Sequence, residues 1–218
     1  MVKWNPDLLN EVLAPGVADF TAAEIIDLIP EFDQSTHWMS NHFLNSALGV
    51  RYSGDRRINI VTAILRAQLS FAAYHEAKAA SDKYLAANDP HNPSARSYFA
   101  LVGKWEMCVH NVHLFMDAFN KFAMPAKAYT TGDNSEAERL CRLSNDIKHL
   151  GRVTTGEHTI PMWLTNEGLQ SVQSFVSYRE IADIIRELAR CADILQYPAS
   201  ASGHEAGPMA QSGTLKIV

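Results

Sequence analysis

The stretch INIVTAILRAQLSFAAYHEAKAASDKYLAA (58–87), its sequel NDPHNP (88–93) and SARSYFALVGKWEMCVHNVHLFMDAFNKF (94–122) decide the fold. Residues 58–87 hold no Pro or Gly and are rich in Ala, Leu and Ile, a composition that favours one long helix. Ile58, Val61, Leu65, Leu69, Ala72 and Ala79 keep three-or-four spacing and are the expected core stripe. Pro90 and Pro93 stop that helix, and Ser94 restarts a second one through Phe122. Its stripe is Phe99, Val102, Trp105, Val109, Val112, Phe115, Met116 and Phe119. Two long helices joined by so short a turn must lie antiparallel.

Working outward, Asn5, Pro6 and Asp7 start a short helical pattern that Pro15 and Gly16 stop. Thr21 with Glu24 has the spacing of a capping box and predicts a helix from there to Pro30. Ser35 to Leu48, closed by Gly49, predicts another. These pieces are too short to stand alone, so residues 1–54 read as a helical cap on a larger bundle.

On the other side, Asn134 or Ser135 caps a helix, NSEAERLCRLSNDIKHLG, that Gly151 ends. Between Arg152 and Leu169 the β-branched and aromatic residues favour extended backbone, with Gly156 at a turn, and predict a small hairpin. A last helix runs from Ser171, or from Tyr178, to Leu195 on Ile181, Ile184, Ile185, Leu188 and Ile194. Residues 198–218 are rich in Ser, Gly and Ala without a period and read as a flexible tail. The expected fold is all-α: an up-and-down antiparallel bundle over 55–197, with the N-terminal cap and a small β-hairpin before the last helix.

With 218 residues, 47% of them hydrophobic and 20% charged, the chain can build one substantial core. Cys108, Cys141 and Cys191 are odd in number and lie in apolar helical patterns, which suggests reduced thiols in a cytoplasmic protein. The N-terminus lacks a secretory pattern, and no apolar run is long enough for a membrane span. A net charge of −5 argues against bulk coating of nucleic acid but not against a local basic groove.

Candidate chemistry concentrates on the helix after residue 134. Arg142, Asn145 and His149, three and then four positions apart, fall within one stripe, because each residue advances by about 100°. Leu140, Leu143, Ile147 and Leu150 supply the apolar contacts around it. Such a guanidinium, amide and imidazole can hold a phosphate.

RLSNDIKH resembles the RX4-6H signature of HEPN domains, with Arg142 and His149 at the two signature positions and Leu143 where that family commonly has a polar residue. The resemblance spans about residues 55–197 and implies a metal-independent endoribonuclease whose site forms between the two copies of a homodimer. It equally admits a non-catalytic interaction or dimerisation module with a protein partner. In the catalytic case His149 exchanges a proton with the ribose 2′-OH or the leaving 5′ oxygen. Arg142 then stabilises the charged phosphorane, and Asn145 orients His149 or donates to phosphate.

A metal site in the bundle is a further reading, from Glu106, His110 and His113 with His75 and Glu76 on the neighbouring helix. The paired Glu-x-x-His pattern of di-iron bundles is missing, so neither metal nor cofactor is expected. No glycine-rich phosphate loop or Gly-x-Ser-x-Gly elbow occurs. Arg56, Arg57, Lys148 and Arg152 are candidates for a basic rim that meets RNA.

Overall fold

A computed structural model describes residues 5–48, 54–87, 94–123, 126–149 and 159–197. The chain is mainly helical. Its elements are α1 (Pro6–Val12), α2 (Trp38–Leu48), α3 (Gly54–Ala87), α4 (Ala95–Phe122), α5 (Glu136–Lys148), β1 (Trp163–Leu164), β2 (Gly168–Gln170), β3 (Phe175–Ser177) and α6 (Tyr178–Leu195). Among the described residues no helix is long and apolar enough to cross a membrane.

The long pair α3 and α4 is the frame. Contacts step in opposite directions along the two helices: Arg66 bonds Asn111, Cys108 bonds the Ser70 carbonyl, and Lys104 pairs with Glu76. The helices therefore run antiparallel. The core stripe of α3 differs from the expected one, because Ile58, Leu65 and Leu69 are exposed while Ile60, Ala63, Ile64, Ala67, Phe71, Tyr74, Ala77 and Tyr84 are buried. Apolar residues surround α3 on several sides, so three-or-four spacing fitted more than one face. The bulky rings of Phe71, Tyr74 and Tyr84 select the face that packs. On α4 the expected stripe is buried except for Phe99, whose neighbour Tyr98 turns inward and donates no backbone contact but accepts the Leu164 N–H at 3.0 Å.

The N-terminal region adds its own anchors to the same core. Asn5 caps α1 by accepting the Asp7 N–H at 3.0 Å, and Gly16 turns the chain at φ 81°. No helix forms over 21–28, contrary to the capping-box reading. The Thr21 and Ala22 N–H groups both donate to Asn166 Oδ1, at 2.9 and 3.0 Å, and the segment lies non-helical with Ile25 and Leu28 buried. A side chain 144 residues away thus takes the donors that a capped helix would have left for Thr21. Trp38, fully buried at the start of α2, donates its indole N–H to Asp193 of α6 and meets Phe32 and Phe71 edge-on.

Before the last helix the strands form an antiparallel meander in the order β1-β2-β3, with Leu164 opposite Leu169 and Leu169 opposite Val176. The strands lie later than the expected extended stretch, and the third, Phe175–Ser177, occupies residues assigned to the start of a helix. Ser177 explains the boundary. It accepts the Glu180 N–H while Glu180 accepts the Ser177 N–H, a reciprocal capping box that starts α6 at Tyr178. The expected turns at Gly49 and Gly156 and the tail 198–218 lie outside the described residues.

Candidate functional site

Helix α5 begins at a tightly bonded loop. Gly132 and Asn134 have φ of 88° and 53°, and Asp133 accepts the N–H groups of Thr130 and Ser135 at 2.7 and 2.8 Å. Ser135 caps the helix by accepting the Glu138 N–H at 3.2 Å. The buried Glu138 carboxylate turns back to accept the N–H groups of Gly132 and Asn134, at 2.5 and 2.6 Å. Those bonds, the Gly132 donor foremost, and the nearby Arg142 hold its pKa below the ordinary glutamate value against the opposing effect of burial.

One side of α5 is fastened to the meander. Arg139 Nε donates to the Phe175 carbonyl at 3.2 Å and its guanidinium pairs with Glu180, while Ser174 Oγ donates to the Arg139 carbonyl at 2.7 Å. One turn pair further on, Ser171 Oγ donates to the buried Asp146 at 2.5 Å. Leu140, Cys141, Leu143 and Ser144 face the core. These attachments leave a polar stripe of Arg142, Asn145 and His149 on the outer side.

Within that stripe, Asn145 and His149 are exposed and the Arg142 side chain is 40% exposed. Arg142 does not point along the stripe toward His149. Its Nη2 reaches one turn toward the helix N-terminus and pairs with Glu138 Oε2 at 2.8 Å. The helix ends at Lys148 instead of running to Gly151, and His149 is its C-cap, with its N–H bonded to the Asn145 carbonyl at 3.0 Å. Seven residues of helical rise separate Arg142 from His149 by about 10 Å along the axis, and the Glu138 pair draws the guanidinium further from the imidazole. The stripe is continuous, but its two charged ends diverge within one chain. Glu138 was overlooked in the sequence, although an acid four residues before an Arg is the ordinary helical pairing distance.

The five groups considered for a metal are dispersed onto separate partners. Glu76 pairs with Lys104 at 2.6 Å, His75 lies 3.7 Å from Asp27 and against Phe71, and His113 lies 3.4 Å from Asp117. Among the described residues no group of three or more His, Cys, Asp or Glu side chains gathers around a common point. The three thiols are unpaired and buried, and burial pushes each up to about 12, which makes them poor nucleophiles. Of the basic-rim candidates Arg57 and Lys148 are exposed, and Arg152 lies outside the described residues. A cleft of about 450 Å³ opens between Gly16, Asp19, Asn166 and Glu167, and none of the three stripe residues lines it.

No family model matches the chain, and no curated protein and no solved structure shows a significant similarity to it.

Proposed function

We propose that the chain is an HEPN-like up-and-down helical bundle that cleaves RNA without a metal, using Arg142, Asn145 and His149 of two copies of the chain. The observation that carries this reading is the exposed amide and imidazole at the end of α5, in line with a guanidinium held by a buried carboxylate. Because Arg142 and His149 of one chain diverge, a scissile phosphate meets both only where the Arg142 of one copy faces the His149 of the other across a two-fold axis. Glu138 then acts as a positioning residue: it fixes the guanidinium while leaving donors free for phosphate oxygens. His149 accepts the proton of the ribose 2′-OH as that oxygen attacks phosphorus. The 5′ oxygen leaves with a proton returned to it, and the product ends in a 2′,3′-cyclic phosphate.

Chelator-resistant cleavage of single-stranded RNA tests the assignment. Arg142→Ala and His149→Ala each abolish it, with unchanged helix content and melting. Cleavage equal to wild type in both variants removes the assignment.

The Arg142–Glu138 pair also favours a second reading, since a guanidinium already compensated by a carboxylate is a typical surface brace. In that reading the bundle is a non-catalytic interaction module. It predicts no cleavage, a dimeric or mixed-partner mass in solution, and loss of association on changes to exposed side chains of the helices.

A further inference from the structure

Charge on this acidic chain is unevenly distributed. Arg139, Arg142, Arg186 and Arg190 each pair with a carboxylate, Arg186 with two. Arg66 of α3 is held differently. Its Nη1 donates to Asn111 Oδ1 at 2.9 Å, and that amide is itself fixed by donating to the Met107 carbonyl at 2.9 Å. The guanidinium is therefore anchored by a neutral group and keeps its full charge.

Three further basic side chains converge on the same region from the neighbouring helices. The charges of Lys148 from α5 and Arg66 from α3 both act on His110 of α4, and those of Lys148 and His110 act on His113. Asp117 is the carboxylate acting on His113, 3.4 Å from its Nε2. Two polar atoms in the group are buried without a hydrogen-bond partner among the described residues, Arg66 Nε and His113 Nδ1, and the His113 side chain is only 9% exposed. Buried donors are ordinarily satisfied, and four basic groups brought together from three helices repel one another.

We propose that Arg66, His110, His113 and Lys148, fixed by Asn111, form a binding site for a phosphoryl group. A phosphoryl group carries several acceptor oxygens and one to two negative charges, so it can bond to an Arg fork, an ammonium and imidazole N–H groups together. A carboxylate offers two oxygens and one charge and leaves part of the set unanswered. The source of the phosphoryl group is a free phosphate compound or the backbone of single-stranded RNA. This site does not depend on the α5 stripe: its failure is read as lost anion binding, and failure of the stripe as lost cleavage.

Calorimetric titration of the full chain at low salt with inorganic pyrophosphate, a five-nucleotide RNA without terminal phosphates, and acetate tests the proposal. The expected result is saturable binding of pyrophosphate or of the RNA at one equivalent per chain. Binding of pyrophosphate alone assigns a free phosphate compound, and binding of the RNA assigns the backbone. Lys148→Ala and Arg66→Gln should each weaken that binding at least about tenfold. Lys148 is exposed, so its variant is judged on a folded chain even where Arg66→Gln lowers the melting point. Near pH 6.5 binding should take up protons, because an anion beside His110 and His113 favours their charged forms over the opposition of Arg66 and Lys148. No saturable binding of either phosphate probe, acetate binding as tight as pyrophosphate, or unchanged affinity in Lys148→Ala overturns the site.

Discussion

Trp105 sits where the three principal helices meet, and its removal offers a sharp test of how the core is held. Its side chain is fully buried, with its ring 5.9 Å from Tyr74 of α3 at 83° and 5.3 Å from Tyr178 of α6 at 42°. The indole Nε1 donates to Ser81 Oγ at 3.1 Å, and Ser81 passes its own proton to the Ala77 carbonyl at 2.9 Å. Burying roughly 200 Å² at about 25 cal/mol/Å² gives about 5 kcal/mol as an upper value, since an unfolded chain already covers part of that surface. The cavity left behind offsets that discount, so Trp105→Ala should cost about 4 kcal/mol. Trp105→Phe keeps most of the area and the two ring contacts but loses the indole hydrogen bond, at about 1–2 kcal/mol. An unfolding entropy of about 2 cal/mol/K per residue amounts to roughly 0.45 kcal/mol/K for 218 residues. Calorimetric melting should therefore fall by about 9 °C for Ala and about 3 °C for Phe. A fall for Ala no larger than that for Phe would refute the placement of Trp105 at this junction.

Two further predictions concern the sheet and acid stability. A Cβ on Gly168 would stand 2.2 Å from the Val176 carbonyl oxygen and 2.6 Å from Ser177 Cα, both backbone atoms of the paired strand, so Gly168→Ala must part β2 from β3. Amide exchange at Leu169, Val176 and Ser177 should rise sharply, and native-like protection there would contradict the register. His75, His110 and His113 all have pKa values lowered from 6.5, chiefly by burial, with Lys78 adding to the effect at His75 and Asp27 opposing it. On acidification the unfolded chain takes up these protons first, so their contribution is complete above pH 6.5 and is lost between there and the folded values. Denaturant titrations from pH 7 to 5 should show this decline, shallower in His75→Gln; an identical slope in that variant would exclude His75 as a contributor.

The sequence displays the long elements best because their signals are local. Pro90 and Pro93 mark the break between α3 and α4, Ser94 is the α4 cap, and Ser135 is the α5 cap. What escaped depended on distant partners. The capping-box pattern at Thr21 fails because Asn166 takes its donors, and the short strand Phe175–Ser177 is fixed by pairing with Gly168 to Gln170 and by the Arg139 bond to Phe175. On α3 the residue spacing could not choose among faces that were all apolar. The α5 stripe was legible as a set of neighbours, since helical spacing alone aligns Arg142, Asn145 and His149. The direction of the Arg142 side chain was not, because it is set by a carboxylate whose own position depends on the folded loop at Gly132 and Asn134.

Because that direction separates guanidinium from imidazole within one chain, the central claim is a site shared between two chains. Mixing Arg142→Ala chains with His149→Ala chains under conditions where dimers exchange, then assaying RNA cleavage in the presence of chelator, tests it most directly. Half the dimers are then mixed, and each carries one intact Arg142–His149 pair, so about a quarter of wild-type activity should return from two inactive preparations. A mixture as inactive as its components, beside an active wild type, would contradict the shared site.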